Sequence, residues 1–178
     1  MSRMPVTLVI SPHYDDAVMS CGHWLHMNPG AIVATVCSGL AGPGISAGAW
    51  DKGSGFTTAD QATAARQAED LAALRVLDAK QCPPLGFLDR KYQYPARTLA
   101  GLEVSIGAFL DVLKPDRCLV PLGVKHPDHI QTARPAVALW LPAKALRQSS
   151  MRTCLTGSCM KRITTPCETT RSQQKASG

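Results

Sequence analysis

Aromatic residues are scarce in this chain of 178 residues: three Trp, three Tyr and three Phe, or 5%, all at or before Trp140. A surface that stacks nucleobases needs aromatics set in a basic face, so no nucleic-acid partner is expected. Long apolar runs are lacking too, and nothing approaches the roughly 20 consecutive apolar residues that span a bilayer. The apolar stretch from Val6 to Ile10 is too short for a signal-peptide core and has no small-residue cleavage site. A cytoplasmic protein without a membrane span is expected. The seven cysteines include no Cys-x-x-Cys pair, and an odd number at these spacings suits neither a disulfide framework nor a zinc ribbon. Cys21, Cys37, Cys82 and Cys118 are expected to be buried free thiols in a reducing compartment. Neither a G-x-x-x-x-G-K-[ST] loop nor a G-x-G-x-x-G turn occurs, which removes the common nucleotide-binding fingerprints.

What is present is globular in composition, 45% apolar and 18% charged. The net charge of +6 is unevenly placed. Residues 147–178 hold Arg147, Arg152, Lys161, Arg162, Arg171 and Lys175 against the single acid Glu168. The high pI therefore belongs to the tail, and residues 1–146 are nearly neutral. Two segments are expected: a domain over 1–146 and an irregular tail over 147–178, rich in Ser, Thr, Arg and Cys and without hydrophobic period.

Residues 6–141 alternate between strand-like and helix-like stretches. Strands are expected at 6–10, 31–37, 84–87 and 117–121. Helices are expected at 16–27, at 59–78 with Ala68, Leu71, Ala72 and Leu74 inward, and at 97–113 with Leu102, Ile106, Phe109, Leu110 and Leu113 inward. A last helix opens at His126-Pro127 and carries Ile130, Ala133, Val137 and Leu141 on one stripe. A long Gly-rich loop covers 38–58, and loops of that length in compact domains are usually functional or mobile. Strands separated by helices imply a Rossmann-like α/β fold with a mostly parallel sheet, whose ligands bind beyond the C-terminal strand ends.

Two polar clusters fall at such strand ends. The first is Ser11-Pro12-His13-Tyr14-Asp15-Asp16, between the first strand and the first helix. One Asp there is ordinarily a helix cap, but two adjacent acids do not both need to cap. The second is Gly123-Val124-Lys125-His126-Pro127-Asp128-His129, again between a strand and a helix. Two His and one carboxylate drawn from the two loops make a three-ligand site with a position left for water, the arrangement of catalytic zinc. Zinc would lower the pKa of bound water toward ~7 and polarise a carbonyl, and the spare acid would serve as general base. His23 and His26, three apart on a helix, are expected to face solvent or pack beside Trp24.

At these residues the sequence resembles the PIG-L (LmbE-like) N-deacetylase family. The carriers are Pro12-His13-Tyr14-Asp15-Asp16 with the helix that follows, the His-Pro-Asp-His of 126–129, the helix bearing Arg66, Glu69 and Asp70, and Gly-Phe-Leu-Asp at 86–89. The likeness covers residues 6 to about 133. It implies hydrolysis of an N-acetyl group on an N-acetylglucosamine-type sugar or glycoconjugate. It implies His13, Asp16 and His129 as ligands of Zn2+, with Fe2+ or another divalent ion as alternatives. Asp15 is then the base toward water, and Asp15 or His126 returns a proton to the leaving amine. His126 also faces the oxyanion, Asp128 orients a histidine, and Arg66 and Asp89 line the substrate pocket.

The C-terminus departs from the family. Its Tyr-Glu-Asp-Leu-Pro-Tyr segment is missing, yet residues 151–160 can be encoded so that the frame beginning one base earlier reads Tyr-Glu-Asp-Leu-Pro-Tyr-Arg-Val-Leu-Tyr. A frameshift between Ala133 and Ser150 and a C-terminally truncated domain are expected on that basis. Three competing readings remain: an inactive truncated product, a mononuclear iron oxygenase with the same two-His-one-carboxylate triad, and a basic tail that binds nucleic acid.

Overall fold

The first strand is buried on both of its faces, and the alternation of its side chains between them sets the layers. In the computed structural model, β1 (Thr7–Ser11) sends Leu8 and Ile10 to one face of the sheet and Val9 to the other. Side chains on a strand alternate with period two, so a strand buried on both sides reads as a continuous apolar run. The structure describes residues 4–93, 101–144, 151–155 and 158–162, with side chains as far as residue 141.

β1 lies between β2 (Ile32–Thr35) and β4 (Arg117–Pro121), parallel to both, with Leu8 opposite Ile32 on one side and Cys118 on the other. β3 (Lys80–Gln81) extends the parallel sheet beyond β2. One face carries α4 (Leu102–Leu113) and α5 (Pro127–Lys144), packed through Ile106, Leu110, Ala136 and Trp140 onto Leu8, Ile10 and Val120. The other carries α1 (Asp16–Met27) and α3 (Ala59–Val76), packed through Ala17, Cys21, Leu25 and Leu74 onto Val9, Val33 and Leu119. Each fully buried Leu or Val contributes on the order of 2 kcal/mol relative to exposure. This is the mostly parallel α/β sheet flanked by helices that the alternation implied. Among the described residues no helix is long and apolar enough to cross a membrane.

Several local expectations need correction. Residues 84–87 are not a strand. Pro83 and Pro84 offer no N–H to a ladder, Gly86 turns at φ +77°, and the short β3 precedes them. The inward face of α3 is Ala59, Ala62, Asp70 and Leu74, while Ala68 and Ala72 are exposed; a buried carboxylate interrupts the apolar pattern there. On α5 the buried positions are Asp128, Thr132, Ala133, Pro135, Ala136 and Trp140, and Leu141 faces outward.

Within the segment read as irregular, β5 (Met151–Leu155) and β6 (Ser158–Arg162) form an antiparallel hairpin, with β6 antiparallel to β4 and Leu119 opposite Arg162. Backbone N–H and C=O groups along the edge of β4 pair with any extended segment and need no apolar period from it. Residues 97–100 of the expected third helix, residues 145–150 of the expected frameshift region and residue Cys167 lie outside the described residues, as do the side chains of Cys154 and Cys159. Cys21, Cys37, Cys82 and Cys118 are buried free thiols, and His23 and His26 are exposed.

The chain order of the strands decides where a site can form. From β1 the chain steps outward through β2 and β3, then returns across the sheet to β4 on the other side of β1. The loops after β1 and β4 therefore diverge at a topological switch point, and a crevice opens between them at the C-terminal strand ends. Both polar clusters of the sequence stand on those two loops.

Candidate active site

The β1–α1 loop holds its first acid in an unusual way. Asp15 sits at the N-cap position of α1 with φ +82°, and its side chain makes no capping bond. Ser11 does that work, its Oγ accepting from the Ala17 amide at 3.1 Å. A non-glycine residue at positive φ costs energy and persists only where its surroundings hold it. Here the holder is Asp70, 4% exposed, whose Oδ1 accepts from the Asp15 amide at 3.1 Å. The buried acid that broke the pattern of α3 thus fixes the Asp15 backbone, and the Asp15 carboxylate is left facing the crevice. Burial raises its pKa, and the nearby Asp16 charge raises it further.

Asp16 turns back on the loop. Its Oδ2 accepts from the His13 amide at 3.0 Å and lies 3.2 Å from both His13 Nδ1 and His129 Nε2. Burial opposes its charge, yet His129 and His13 hold its carboxyl well below the usual range. The far nitrogen of His13, Nε2, lies 3.2 Å from Asp128 Oδ2, which also accepts from the Arg90 amide at 3.0 Å. Burial works against a charged His13, but the hydrogen bonds to Asp128 and Asp16 outweigh it and push its pKa up to about 12.

Asp128 is 1% exposed. Without a cation both ring nitrogens of His13 carry a proton, Nε2–H donating to Asp128 and Nδ1–H to Asp16; a cation would take the place of the Nδ1 proton and leave Nε2–H on Asp128. That is the carboxylate–histidine pairing that commonly fixes the tautomer of a metal ligand.

The β4–α5 loop brings in the other two imidazoles. Gly123 turns at φ +70°, and a Cβ there would meet the Ala133 Cβ at 2.7 Å, so only glycine lets the loop close onto α5. The rings of His13, His126 and His129 stand 5.0–5.3 Å apart, centroid to centroid. One nitrogen from each of the three lies within 4.8 Å of the others. A second group meets the same criterion: His13, Asp128 and the Cys37 thiol at the end of the second strand. Burial raises the Cys37 pKa and keeps that thiol protonated, despite the neighbouring His13.

The donor set suits a divalent cation. Two N or O ligands bound at about 2.1 Å with a tetrahedral angle stand ~3.4 Å apart, close to the 3.2 Å from Asp16 Oδ2 to each of the two imidazole nitrogens. His126, half-exposed, can add a fourth donor or face a bound substrate.

These groups open onto a cleft of about 960 Å³. Its other wall comes from the Gly-rich loop, α3 and the 3-10 turn at Arg90–Tyr92. Beneath that wall, Asp51 on the short helix α2 (Ala49–Gly53) is 0% exposed. It receives the Arg66 guanidinium, the Tyr92 hydroxyl and, at 3.0 Å, Lys91 Nζ. Burial opposes its charge, but Tyr92, Arg66 and Lys91 hold its pKa down to about 2. A carboxyl depressed on folding stabilises the protein above its unfolded pKa and loses that contribution as pH falls through the folded value. Asp51→Asn is expected to cost about 2 kcal/mol near neutral pH. The difference from wild type shrinks steadily below pH 4, as urea unfolding across a pH series will show.

The sequence model of PIG-L, described as GlcNAc-PI de-N-acetylase, matches residues 8–140. The chain belongs to the PIG-L family. No curated protein matches it. Among solved structures it is similar to a deacetylase triple mutant of the teicoplanin biosynthetic pathway, at 29% identity and a TM-score of 0.70, over 84% of this chain and 64% of that one. It is also similar to the A40926 pseudoaglycone deacetylase, at 30% identity and a TM-score of 0.69, over 87% of this chain and 65% of that one. The chain thus spans just under two thirds of the length of these two deacetylases. A 4-carboxy-2-hydroxymuconate hydratase from Pseudomonas putida shares the fold at 23% identity and a TM-score of 0.57, over 76% of this chain and 55% of that one. The fold alone therefore does not fix the reaction.

In this PIG-L chain the structure brings His13, Asp15, Asp16, His126 and His129 into the lining of one cleft, with Asp128 buried behind His13 and with Arg66 and Asp89 also in the lining. Asp89 accepts from the Lys91 amide at 3.1 Å and pairs with its Nζ at 3.2 Å. Sequence reasoning passed over Asp51, Lys91, Tyr92, Trp50 and Cys37, and it gave His126 proton transfer and the oxyanion but no place among the metal donors. Cys37 had a usable signal, since it follows β2 by two residues on the same sheet edge. Asp70 was named only as part of a family segment, and its hold on Asp15 was not foreseen.

Proposed function

We propose that this chain is a divalent-metal-dependent N-deacetylase that hydrolyses the acetamide of an N-acetylglucosamine-type sugar or glycoconjugate. The observation that carries the reading is the convergence of His13, Asp16 and His129 beside an Asp15 carboxylate that caps nothing. The named activities of the teicoplanin and A40926 deacetylases support it.

His13, Asp16 and His129 would hold the cation, which when bound supplies Lewis-acid polarisation and a more acidic water. Asp128 keeps the His13 ring in register through Nε2–H. Asp15, its pKa raised by burial, takes a proton from water as the oxygen attacks the acetamide carbon, and its fixed backbone limits the arc the carboxylate can sweep.

His126 has its pKa lowered by burial and by the neighbouring His13 charge, so it is neutral at pH 7. Its Nδ1 accepts from the Asp128 amide at 3.3 Å, which places the proton on Nε2. A neutral imidazole with an Nε2–H can donate to the oxygen that gains charge on the tetrahedral carbon. It is a poor proton source for the leaving amine. Asp15–H, formed in the first step, is the better acid for C–N cleavage. Arg66 and Asp89 face the sugar from the opposite wall.

The test is acetate release by the purified chain from N-acetylglucosamine and N,N'-diacetylchitobiose after loading with Zn2+, Fe2+ or Co2+. Release that depends on the metal and stops with chelator is expected. A folded, metal-loaded chain that frees no acetate above the background of water would sink the reading.

A further inference from the structure

We propose that Trp50 is a stacking platform for a second pyranose ring, so that the substrate is at least a disaccharide or glycoside in which the N-acetylated sugar sits at the metal end and its neighbour lies on the indole. The proposal rests on the deacetylase reading and narrows its substrate class.

The three tryptophans divide sharply. Trp140 is 3% exposed in one core layer and Trp24 packs against the other. Trp50 is 79% exposed, and it lines the same cleft as His13, Asp15 and His126. Exposure of so large an apolar ring leaves hydrophobic area without a partner, and tryptophan in such a place gains by covering one face with a ligand.

The backbone beneath the ring is fixed. Asp51, the next residue, is the fully buried peg that receives Arg66, Tyr92 and Lys91. The Gly48 amide donates to the Tyr92 hydroxyl at 3.2 Å, the Lys52 amide to Gly48 O at 2.9 Å and the Ser54 amide to Trp50 O at 3.2 Å. The bridge between Ser46 and Thr58 closes the base of the loop. An aromatic on a pre-ordered backbone binds without the cost of ordering a loop.

The chemistry favours a sugar. The face of an indole carries negative quadrupole density. The axial C–H groups of a β-linked glucopyranose form a patch that is apolar and weakly positive, while its hydroxyls point outward to water. A ring joined to the N-acetylated sugar lies in the same cleft, whose lining includes the exposed aromatic face of Trp50.

The test combines binding and kinetics. In wild type, N,N'-diacetylchitobiose is expected to shift and quench the indole emission excited at the red edge, and Trp50→Phe is expected to lose most of that change while still binding. Trp50→Ala is expected to raise KM for the disaccharide about tenfold more than KM for N-acetylglucosamine, with kcat little moved, and Trp50→Phe is expected to restore most of the difference. Equal effects on both sugars, or none, would overturn the platform. It would also be overturned if only an aryl N-acetylglucosaminide, and not the disaccharide, depended on Trp50. The fluorescence change needs no turnover, so a chain that binds the disaccharide through Trp50 yet frees no acetate counts against the deacetylase reading and not against the platform.

Discussion

Asp15→Asn is expected to lower acetate release about a thousandfold while leaving metal content and sugar binding nearly intact. The magnitude follows from what the residue can do. A positioned general base contributes roughly 10²–10⁴ in rate, and Asp15 is asked to act twice, first as base toward water and then as acid toward the amine. Asn keeps the shape and removes both roles. The loop should survive the change, because the contact that fixes it is the Asp15 amide donating to Asp70, and no side-chain cap is lost.

The pH profile gives a second readout. Burial and the Asp16 charge raise the Asp15 pKa, so the base form, and with it the wild-type rate, rises with pH through a limb displaced above the ordinary carboxylate range. That limb should vanish from the residual activity of Asp15→Asn. A variant within a factor of a few of wild type, with the limb intact, would remove Asp15 from the chemistry.

The juxtaposition of the two polar loops was legible because it follows from topology. His13 and Asp16 follow β1, and the run from His126 to His129 follows β4. Parallel strands joined by helices place all such ends on one edge, and the return from β3 to β4 puts β1 and β4 side by side. The opposite wall was not legible. Asp51, Lys91 and Tyr92 come from a Gly-rich loop and a 3-10 turn, where no period marks which side chains turn inward, and Asp51 meets the other two through contacts 40 and 41 residues apart in sequence.

Where the helix faces were misjudged, function had displaced apolar residues from buried positions. Asp70 occupies a core site on α3 in order to hold Asp15, and Asp128 is buried at the start of α5 to hold His13. A pattern search for apolar stripes treats such acids as solvent-facing. The hairpin of 151–162 was missed for a different reason: a strand recruited by the open edge of β4 is specified by backbone pairing and carries little hydrophobic signature.

His129→Ala and Asp128→Asn should weaken metal binding to different degrees, and the difference separates a ligand from a group that aims one. His129 Nε2 lies 3.2 Å from Asp16 Oδ2 and is proposed as one of the three donors to the cation. Removing it leaves two protein ligands, fewer than catalytic zinc sites ordinarily use, and affinity is expected to fall by more than a hundredfold.

Of the three proposed ligands, the Asp128 carboxylate is hydrogen-bonded to His13, through Nε2. Asn in its place can still accept that hydrogen bond but supplies no charge, and losses of roughly 10–100-fold are usual for such outer partners. Competition of each purified variant against a chelating dye gives the affinities directly, without reliance on turnover. Equal losses in the two variants would mean that Asp128 itself binds the ion. The site would then centre on His13, Cys37 and Asp128, the other group of donors within 4.8 Å of one another. Its thiolate would show with Co2+ as a sulfur-to-metal charge-transfer band, which a site built from His13, Asp16 and His129 cannot produce.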